Sequence, residues 1–174
     1  MSIIRNTCLI CLVFAGFIPS YAFAETLCKP SEMLYFSAYT GKPVGDSFVR
    51  NNKLISLCGI VEKGVMQTLS YRFGTLAKVE LEFNAPKDGN FTYFAERNSP
   101  RGVDYAVSFL RGDFKYQLNS CLGMTCNQYS VELIVYRKDK VIATIVGDNA
   151  DLIDNFFGEI VHEGNVEKSK IFKQ

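Results

Sequence analysis

The stretch Leu69-Ser-Tyr-Arg-Phe-Gly-Thr-Leu-Ala-Lys-Val-Glu-Leu-Glu-Phe83 decides the fold class of this chain. On both sides of Gly74 its apolar residues alternate with polar ones, which is the period-two pattern of a half-buried strand. The apolar set is Leu69, Tyr71 and Phe73 in the first arm and Val79, Leu81 and Phe83 in the second. The stretch therefore predicts a β-hairpin with one buried face and one face in solvent.

The matching of these faces also predicts a register for the hairpin. A turn centred on Thr75 places Tyr71 opposite Val79 and Leu69 opposite Leu81, so that both apolar sets are buried together. A register that slipped by one residue would bury the charged side chains of the second arm instead. We therefore predict a hairpin that turns at Thr75.

The opposite face of the hairpin carries charged residues. Arg72 would lie there within diagonal reach of Glu80, as a weak surface pair. Glu80 and Glu82 would lie about 7 Å apart on this face, and a pair of carboxylates flanking a cleft can hydrolyse glycosidic bonds. On the wet side of a hairpin we interpret them as solvated charges, so a carboxylate-dependent hydrolase is the least favoured functional hypothesis.

The rest of the chain repeats the strand pattern, with a turn signal between successive strands. Further strands are predicted at residues 33–39, 53–61, 91–95, 103–110, 114–118, 131–137 and 141–146. One short C-terminal helix is predicted after a cap at Asp148 or Asn149, because apolar residues then recur at helical spacing. These residues are Ala150, Leu152, Ile153, Phe156 and Phe157. The predicted fold class is mainly β, an antiparallel β-sandwich or barrel of about 8–10 strands with that one helix.

The N-terminal residues predict export. Arg5 precedes an apolar run at 8–18, and Ala22-Phe-Ala24 follows, as in a secretory signal peptide. The run is shorter than the ~20 residues that a membrane-spanning helix needs. We therefore expect residues 1–24 to be a signal peptide and residues 25–174 to be a single β-rich domain. That domain would be periplasmic or secreted, with no membrane insertion after cleavage of the signal.

The charge balance limits the classes of partner. Arg5 is the one charged residue of 1–24, so 18 basic residues remain in 25–174 and face 18 acidic ones. A net charge of zero provides no electrostatic argument for binding nucleic acid or an anionic membrane. We expect no nucleic-acid partner.

Four cysteines remain in residues 25–174, namely Cys28, Cys58, Cys121 and Cys126. An even number in an exported chain indicates disulfides, and four cysteines allow three connectivities. We favour Cys28–Cys58 with Cys121–Cys126, because each pair encloses a local unit. A zinc site is disfavoured, because these spacings are not those of ligand pairs and the single histidine, His162, is distant. No metal or cofactor is expected.

Nucleophilic catalysis would have to be built on His162, whose sequence neighbours include no evident nucleophile or orienting group. We therefore expect a protein that is not an enzyme. Two segments, 96–102 and 121–126, are instead candidate interaction loops, because rigid loops on a β scaffold often carry recognition. The candidate residues are Arg97, Asn98, Ser99 and Arg101 in the first loop and Leu122 and Met124 in the second. The alternative is that both segments are ordinary solvated connections.

A strand ending Ile-Ser-Leu-Cys58, then Leu-Ser-Tyr-Arg-Phe-Gly74, Val-Glu-Leu-Glu-Phe83 and a proline turn, resembles a group of small proteobacterial exported (periplasmic) β-proteins. In build the chain is similar to periplasmic lysozyme inhibitors and effector-immunity proteins. This resemblance implies an inhibitor or immunity factor that binds a protein partner, such as a cell-wall-degrading enzyme or effector. The alternative is an envelope-associated structural or assembly protein whose edge strands pair with a partner.

Overall fold

The computed structural model describes residues 25–63, 65–99, 102–123, 131–148 and 153–154 of the 174-residue chain. Ten strands are formed: β1 (Met33–Val44), β2 (Ser47–Glu62), β3 (Val65–Thr75), β4 (Lys78–Ala85), β5 (Thr92–Ser99), β6 (Gly102–Arg111), β7 (Phe114–Gly123), β8 (Val131–Arg137), β9 (Lys140–Gly147) and β10 (Ile153–Asp154). A helix with the length and apolarity to cross a membrane is absent from these ranges.

The strands form one antiparallel sheet in the order β4-β3-β2-β1-β9-β8-β7-β6-β5, and β10 pairs with β1. The mainly-β, antiparallel class predicted from the alternation is therefore confirmed. Neighbours in the sheet are mostly neighbours in the chain, as expected for hairpins joined in series. The exceptions are β9 and β10, which both pair with β1. The β1–β9 pairing joins two runs of consecutive strands.

The predicted C-terminal helix does not form at the two positions of it that the structure describes. Ile153–Asp154 are strand β10, which pairs with Ser37 and Phe36 of β1. Asp148, a predicted helix cap, instead donates its backbone N–H to the carbonyl of Tyr39 at 2.7 Å. The remaining residues of the predicted helix lie outside the described ranges. Pairing with the open edge of β1 overrides the helical spacing here, since short apolar runs fit either structure.

The hairpin at the centre of the sequence forms, but with a different register. β3 and β4 are joined by the two-residue turn Leu76-Ala77, and Tyr71 lies opposite Phe83 rather than Val79. The predicted turn at Thr75 is therefore wrong. The alternation of apolar and polar residues could not reveal the register, because any even shift of register keeps the same side chains on each face.

A bulge at Gly74 accompanies the new register. The β3–β4 pairing shifts between Phe73 and Gly74, and Gly74 adopts a φ of 155°. A Cβ at this position would lie 2.3 Å from the carbonyl oxygen of Lys78. Glycine is therefore needed here, because the partner backbone occupies the space of a side chain.

The sheet bends so that its two runs of strands, which we call the N-terminal arm (β1–β4) and the C-terminal arm (β5–β9), face each other. The arms are joined at Thr40–Gly147 and Gly41–Val146 of the β1–β9 pair. β1 carries a bulge between Tyr39 and Gly41. Bulges bend strands and allow a sheet to turn a corner, so this bulge explains the change of direction between the arms.

The core lies between the inner faces of the arms and is largely aromatic. Phe109 of β6 stacks on Phe83 of β4 with ring centroids 4.3 Å apart, and it contacts Tyr71 of β3 at 4.9 Å. Phe109 also stacks on Tyr116 of β7 at 5.0 Å, and Phe91 packs edge-on against Phe83. Each fully buried side chain of this size contributes about 1.5–3 kcal/mol. The contacts of Phe109 with Phe83 and Tyr71 hold the two arms together.

The antiparallel order gives the sheet two different ends. Four two-residue turns, at 45–46, 76–77, 112–113 and 138–139, lie at one end. We call this end, with its flanking strand residues (41–50, 75–80, 110–115 and 137–142), the hairpin rim. The connections β2–β3, β5–β6 and β7–β8 lie at the opposite end, which we call the loop end. The β4–β5 connection runs from this end of β4 to Thr92, which lies opposite Ser108 of β6.

Candidate functional site

Residues 25–32, which we call the strap, cross the outer face of the N-terminal arm. Leu27 of the strap is 8% exposed. Cys28 is disulfide-bonded to Cys58 of β2, with 5.4 Å between their Cα atoms. The predicted Cys28–Cys58 disulfide is therefore confirmed, and it fixes the strap to the sheet.

Serine side chains on the outer face form hydrogen bonds with the strap. The backbone N–H of Leu27 donates to Oγ of Ser56 at 3.1 Å, and Oγ of Ser37 donates to the carbonyl of Glu25 at 3.1 Å. Ser37 and Ser56 lie directly opposite each other, with their Oγ atoms 3.1 Å apart. The strap thus covers hydroxyls that the alternation alone would assign to solvent, and its backbone satisfies them.

Arg72 of β3 is the charged centre of the covered face, with a side chain only 2% exposed. Its Nη1 and Nη2 donate to the two carboxylate oxygens of Glu32 at 2.6 and 2.8 Å. Its Nε donates to Glu82 of β4 at 2.9 Å, and Nη1 also donates to the carbonyl of Leu27 at 3.2 Å. A bidentate guanidinium–carboxylate pair is among the strongest hydrogen-bonded ion pairs in proteins.

The predicted surface pair between Arg72 and Glu80 is therefore wrong. In the observed register Arg72 lies opposite Glu82, whereas Glu80 accepts a hydrogen bond from Nζ of Lys53 at 2.7 Å. The prediction failed because it treated the outer face as open to solvent. The strap brings Glu32 onto that face and removes Arg72 from water.

The protonation states in this cluster follow from its geometry. Burial raises the pKa of Glu32, but hydrogen bonds from Arg72 and from the N–H of Lys29, together with the Arg72 charge, place that pKa below its ordinary value. Hydrogen bonding to Glu32 raises the pKa of Arg72, against the effect of burial. A general acid needs a raised carboxyl pKa. The cluster is therefore an ion pair that holds the strap and gives no support to carboxylate catalysis.

Sequence reasoning missed this cluster. Glu32 and Arg72 are 40 residues apart, and neither lies in a motif that indicates the other. One indirect signal was present: the predicted disulfide fixes Cys28 beside Cys58, and Glu32 follows four residues later. A disulfide can thus indicate which polar face an adjoining segment covers.

The two sulfurs of the disulfide and a carboxylate oxygen of Glu32 lie within 4.8 Å of one another. Thiolates and carboxylates at such distances can bind zinc. In this structure, however, the sulfurs of Cys28 and Cys58 are bonded to each other and Glu32 is held by Arg72. The three groups therefore act as a covalent and ionic fastening of the strap.

Tyr71, the neighbour of Arg72 in β3, faces the aromatic core. Its hydroxyl is the one buried side-chain polar atom without a hydrogen-bond partner in the described part of the chain. Burial, with a smaller effect of nearby Tyr116, raises the pKa of Tyr71 far above its ordinary value. The hydroxyl therefore stays protonated and has no base to activate it.

The first candidate loop is an extension of a strand. Arg97, Asn98 and Ser99 lie in β5, where Arg97 is opposite Val103 and Ser99 is opposite Gly102. The fourth candidate, Arg101, lies outside the described residues. The segment is thus the end of a β5–β6 hairpin, more regular than the predicted polar loop.

The second candidate loop also begins as a strand. Leu122 lies in β7 opposite Val103, on the other edge of β6 from Arg97. Two strand spacings separate Arg97 from Leu122, or about 10 Å between backbones. Cys121 is disulfide-bonded, whereas its predicted partner Cys126 and the candidate Met124 lie outside the described residues. The structure therefore brings together, at the loop end, two segments that sequence reasoning treated separately.

No protein-family model, curated protein or solved structure matches this chain.

Proposed function

We propose that the protein is an exported inhibitor or immunity factor that binds a cell-wall-degrading enzyme or effector through its loop end. The observation that supports this most directly is the position of Arg97 and Leu122 on either side of Val103. The two candidate segments are thereby neighbours in the sheet. Arginine and large apolar residues are the groups that dominate binding energy at protein interfaces.

A second support is the continuous pairing of the supporting strands. β6 pairs with β5 on one edge and with β7 on the other through to the loop end, where Gly102 lies opposite both Ser99 and Gly123. The disulfide-bonded Cys121 lies one residue before Leu122. Binding costs less when the contacting segments are ordered beforehand. An inhibitor that occludes a cleft benefits from this order.

The alternative function, in which an edge strand of the sheet pairs with a partner, has weaker support. One edge strand that could pair in this way is β4, an outer strand of the sheet. β4 carries charges at Lys78, Glu80 and Glu82, and Arg111 reaches the backbone carbonyl of Glu82 at 3.5 Å. Charged edges of this kind discourage pairing with another chain. We therefore place the partner surface at the loop end.

The test is inhibition of purified peptidoglycan hydrolases, both lysozymes and amidases, by the purified protein. We expect inhibition of at least one target by the wild-type protein, and a loss of about 10-fold or more in affinity for Arg97→Glu combined with Arg101→Glu. The matched control is Lys138→Glu combined with Lys140→Glu, which changes the charge equally at the opposite end of the sheet and should retain inhibition.

Two results would contradict the proposal. One is the absence of inhibition across the panel together with the recovery of no hydrolase from periplasmic extract. The other is an equal loss of inhibition in the loop-end variant and the control, since that would show a general effect of charge rather than contact at the loop end.

A further inference from the structure

Exposed apolar side chains occur at all four turns of the hairpin rim. Among the side chains whose exposure the structure describes, which leave out those of 93–99, 102–104 and 122–123, eight large apolar ones are exposed; seven lie in the rim, and Met33 is the exception. The seven are Val44, Val49, Leu76, Val79, Leu110, Val141 and Ile142, each between 41% and 67% exposed. Single exposed apolar residues are common on protein surfaces, but their concentration at one end indicates a contact surface.

The four turns of the rim are held near one another by the sheet. Phe114 lies opposite Arg137, which places the 112–113 turn beside the 138–139 turn. Arg111 donates to the carbonyl of Glu82, which connects the 112–113 turn to β4. The β1–β9 pairing connects the first hairpin to the last. The apolar side chains therefore belong to one end of a single body.

The same rim is basic. Its four segments contain eight Lys or Arg and four Asp or Glu, a net charge of +4. Residues 25–174 carry 18 charges of each sign, so the remainder of that chain carries −4. The zero net charge of the sequence thus conceals an asymmetry, because the basic residues come from four turns that are distant in sequence.

The arginines and lysines of the rim differ in their surroundings. Arg50 forms an ion pair with Asp148, Arg111 reaches the carbonyl of Glu82, and Arg137 lies over the ring of Phe114. The exposed cations of the rim are these three arginines and four lysines, Lys42, Lys78, Lys138 and Lys140. Protein interfaces are depleted in lysine and enriched in aromatic residues. Lysines beside exposed aliphatic residues are instead typical of proteins that lie on anionic lipid surfaces.

We propose that the hairpin rim docks on the surface of an anionic lipid bilayer. The aliphatic side chains at the turns enter the headgroup region, and the surrounding lysines neutralise lipid phosphates. Docking leaves the loop end, at the opposite end of the strands, directed away from the bilayer. The protein is held at the surface by side chains from four turns, and it does not span the bilayer.

An introduced tryptophan tests the apolar contact, because the chain contains no Trp of its own. Leu76→Trp and, separately, Ile142→Trp place the probe at the rim, and Met33→Trp places it at the exposed apolar position outside the rim. With phosphatidylglycerol vesicles we expect a blue shift of emission for both rim probes and none for the Met33 probe. With phosphatidylcholine vesicles we expect no shift from any probe.

Charge removal tests the electrostatic contact by vesicle co-sedimentation. Two basic residues at an anionic surface account for about a 30-fold change in affinity. We therefore expect Lys138→Gln with Lys140→Gln to weaken binding to phosphatidylglycerol vesicles by that factor. Lys63→Gln with Lys87→Gln removes the same charge outside the rim and should leave binding unchanged. Raising the salt concentration should weaken binding of the wild-type protein.

The proposal is wrong if the wild-type protein does not sediment with phosphatidylglycerol vesicles, or if the rim and control variants lose binding equally. It is also wrong if the wild-type protein does not bind vesicles but does bind itself or an acidic protein, and the rim variants lose that binding. The rim would then be a protein interface. The outcome is independent of hydrolase inhibition, which the loop-end variant with Arg97→Glu measures separately.

Discussion

Tyr71 and Arg72 are adjacent in β3, and both are almost completely buried. Tyr71 lies in an aromatic core with an unpartnered hydroxyl. Arg72 lies on the opposite face with hydrogen bonds to two carboxylates and a backbone carbonyl. The comparison shows that burial has opposite consequences on the two faces of one strand. The inner face is stabilised by packing, and the outer face depends on the partners that the strap provides.

The largest expected loss of stability comes from removal of the Arg72 side chain. Arg72→Ala leaves the carboxylate of Glu32 buried without a cation, and breaking a buried pair in this way costs about 3–5 kcal/mol. Urea denaturation followed by circular dichroism measures the loss. The double variant Glu32→Met with Arg72→Met should recover most of it, because an apolar pair avoids the unpaired charge. A cost below about 1 kcal/mol for Arg72→Ala would show that water enters beneath the strap.

The second largest loss of stability is expected from removal of the disulfide that fixes the strap. Cys28→Ala with Cys58→Ala opens a loop whose ends are 30 residues apart, and the chain-entropy model gives a loss of about 3–4 kcal/mol. Thermal denaturation with and without dithiothreitol provides the comparison. Because dithiothreitol also reduces the disulfide of Cys121, the reduced wild-type protein should match the double variant measured under the same reducing conditions. If it instead retains full stability, Arg72 and the serine contacts suffice to hold the strap.

A smaller effect is expected in the dependence of stability on pH. The pKa of Glu32 is lower in the folded protein than its ordinary value of 4.5. Its contribution to stability is therefore complete above pH 4.5 and is lost as the pH falls through the lowered folded pKa. Denaturation midpoints measured from pH 6 to pH 2 should fall less steeply for Glu32→Gln than for the wild-type protein. Parallel curves for the two proteins would contradict the assignment.

These effects also indicate how far the sequence could predict the structure. Alternation around Gly74 correctly assigned Tyr71 to the inner face, because period two depends only on the local backbone. The register could not be predicted in this way, because an even shift preserves the faces. The burial of Arg72 could not be predicted, because the covering segment is distant in sequence.

The candidate site was predictable only in its parts. The two segments that contain Arg97 and Leu122 were identified from composition. These two segments lie on either side of Val103 because of the register of three strands, and no single segment encodes that register. The basic character of the hairpin rim was concealed for the same reason, since whole-chain charge averages over residues that the sheet brings together.

A fourth prediction concerns the inner face. Tyr71→Phe removes a buried hydroxyl without a partner, and the free energy of unfolding should rise by about 1 kcal/mol. Urea denaturation provides the measurement, and Tyr116→Phe, at the stacked partner of Phe109, is the control. A loss of more than about 1 kcal/mol for Tyr71→Phe would show that the hydroxyl has a partner in solution, such as a buried water.

The smallest change in stability is expected from substitution of Glu80, which lies on the same outer face as Arg72 but beyond the strap. The Lys53–Glu80 distance is 2.7 Å and the Arg72–Glu82 distance is 2.9 Å, yet the Lys53 side chain is 35% exposed and that of Arg72 only 2%. Exposed pairs contribute about 0–1 kcal/mol because water and salt screen them. Glu80→Gln should therefore change stability by less than about 1 kcal/mol, and 0.5 M salt should remove the difference. A cost like that of Arg72→Ala would mean that distance, rather than covering by the strap, determines the strength of ion pairs on this face.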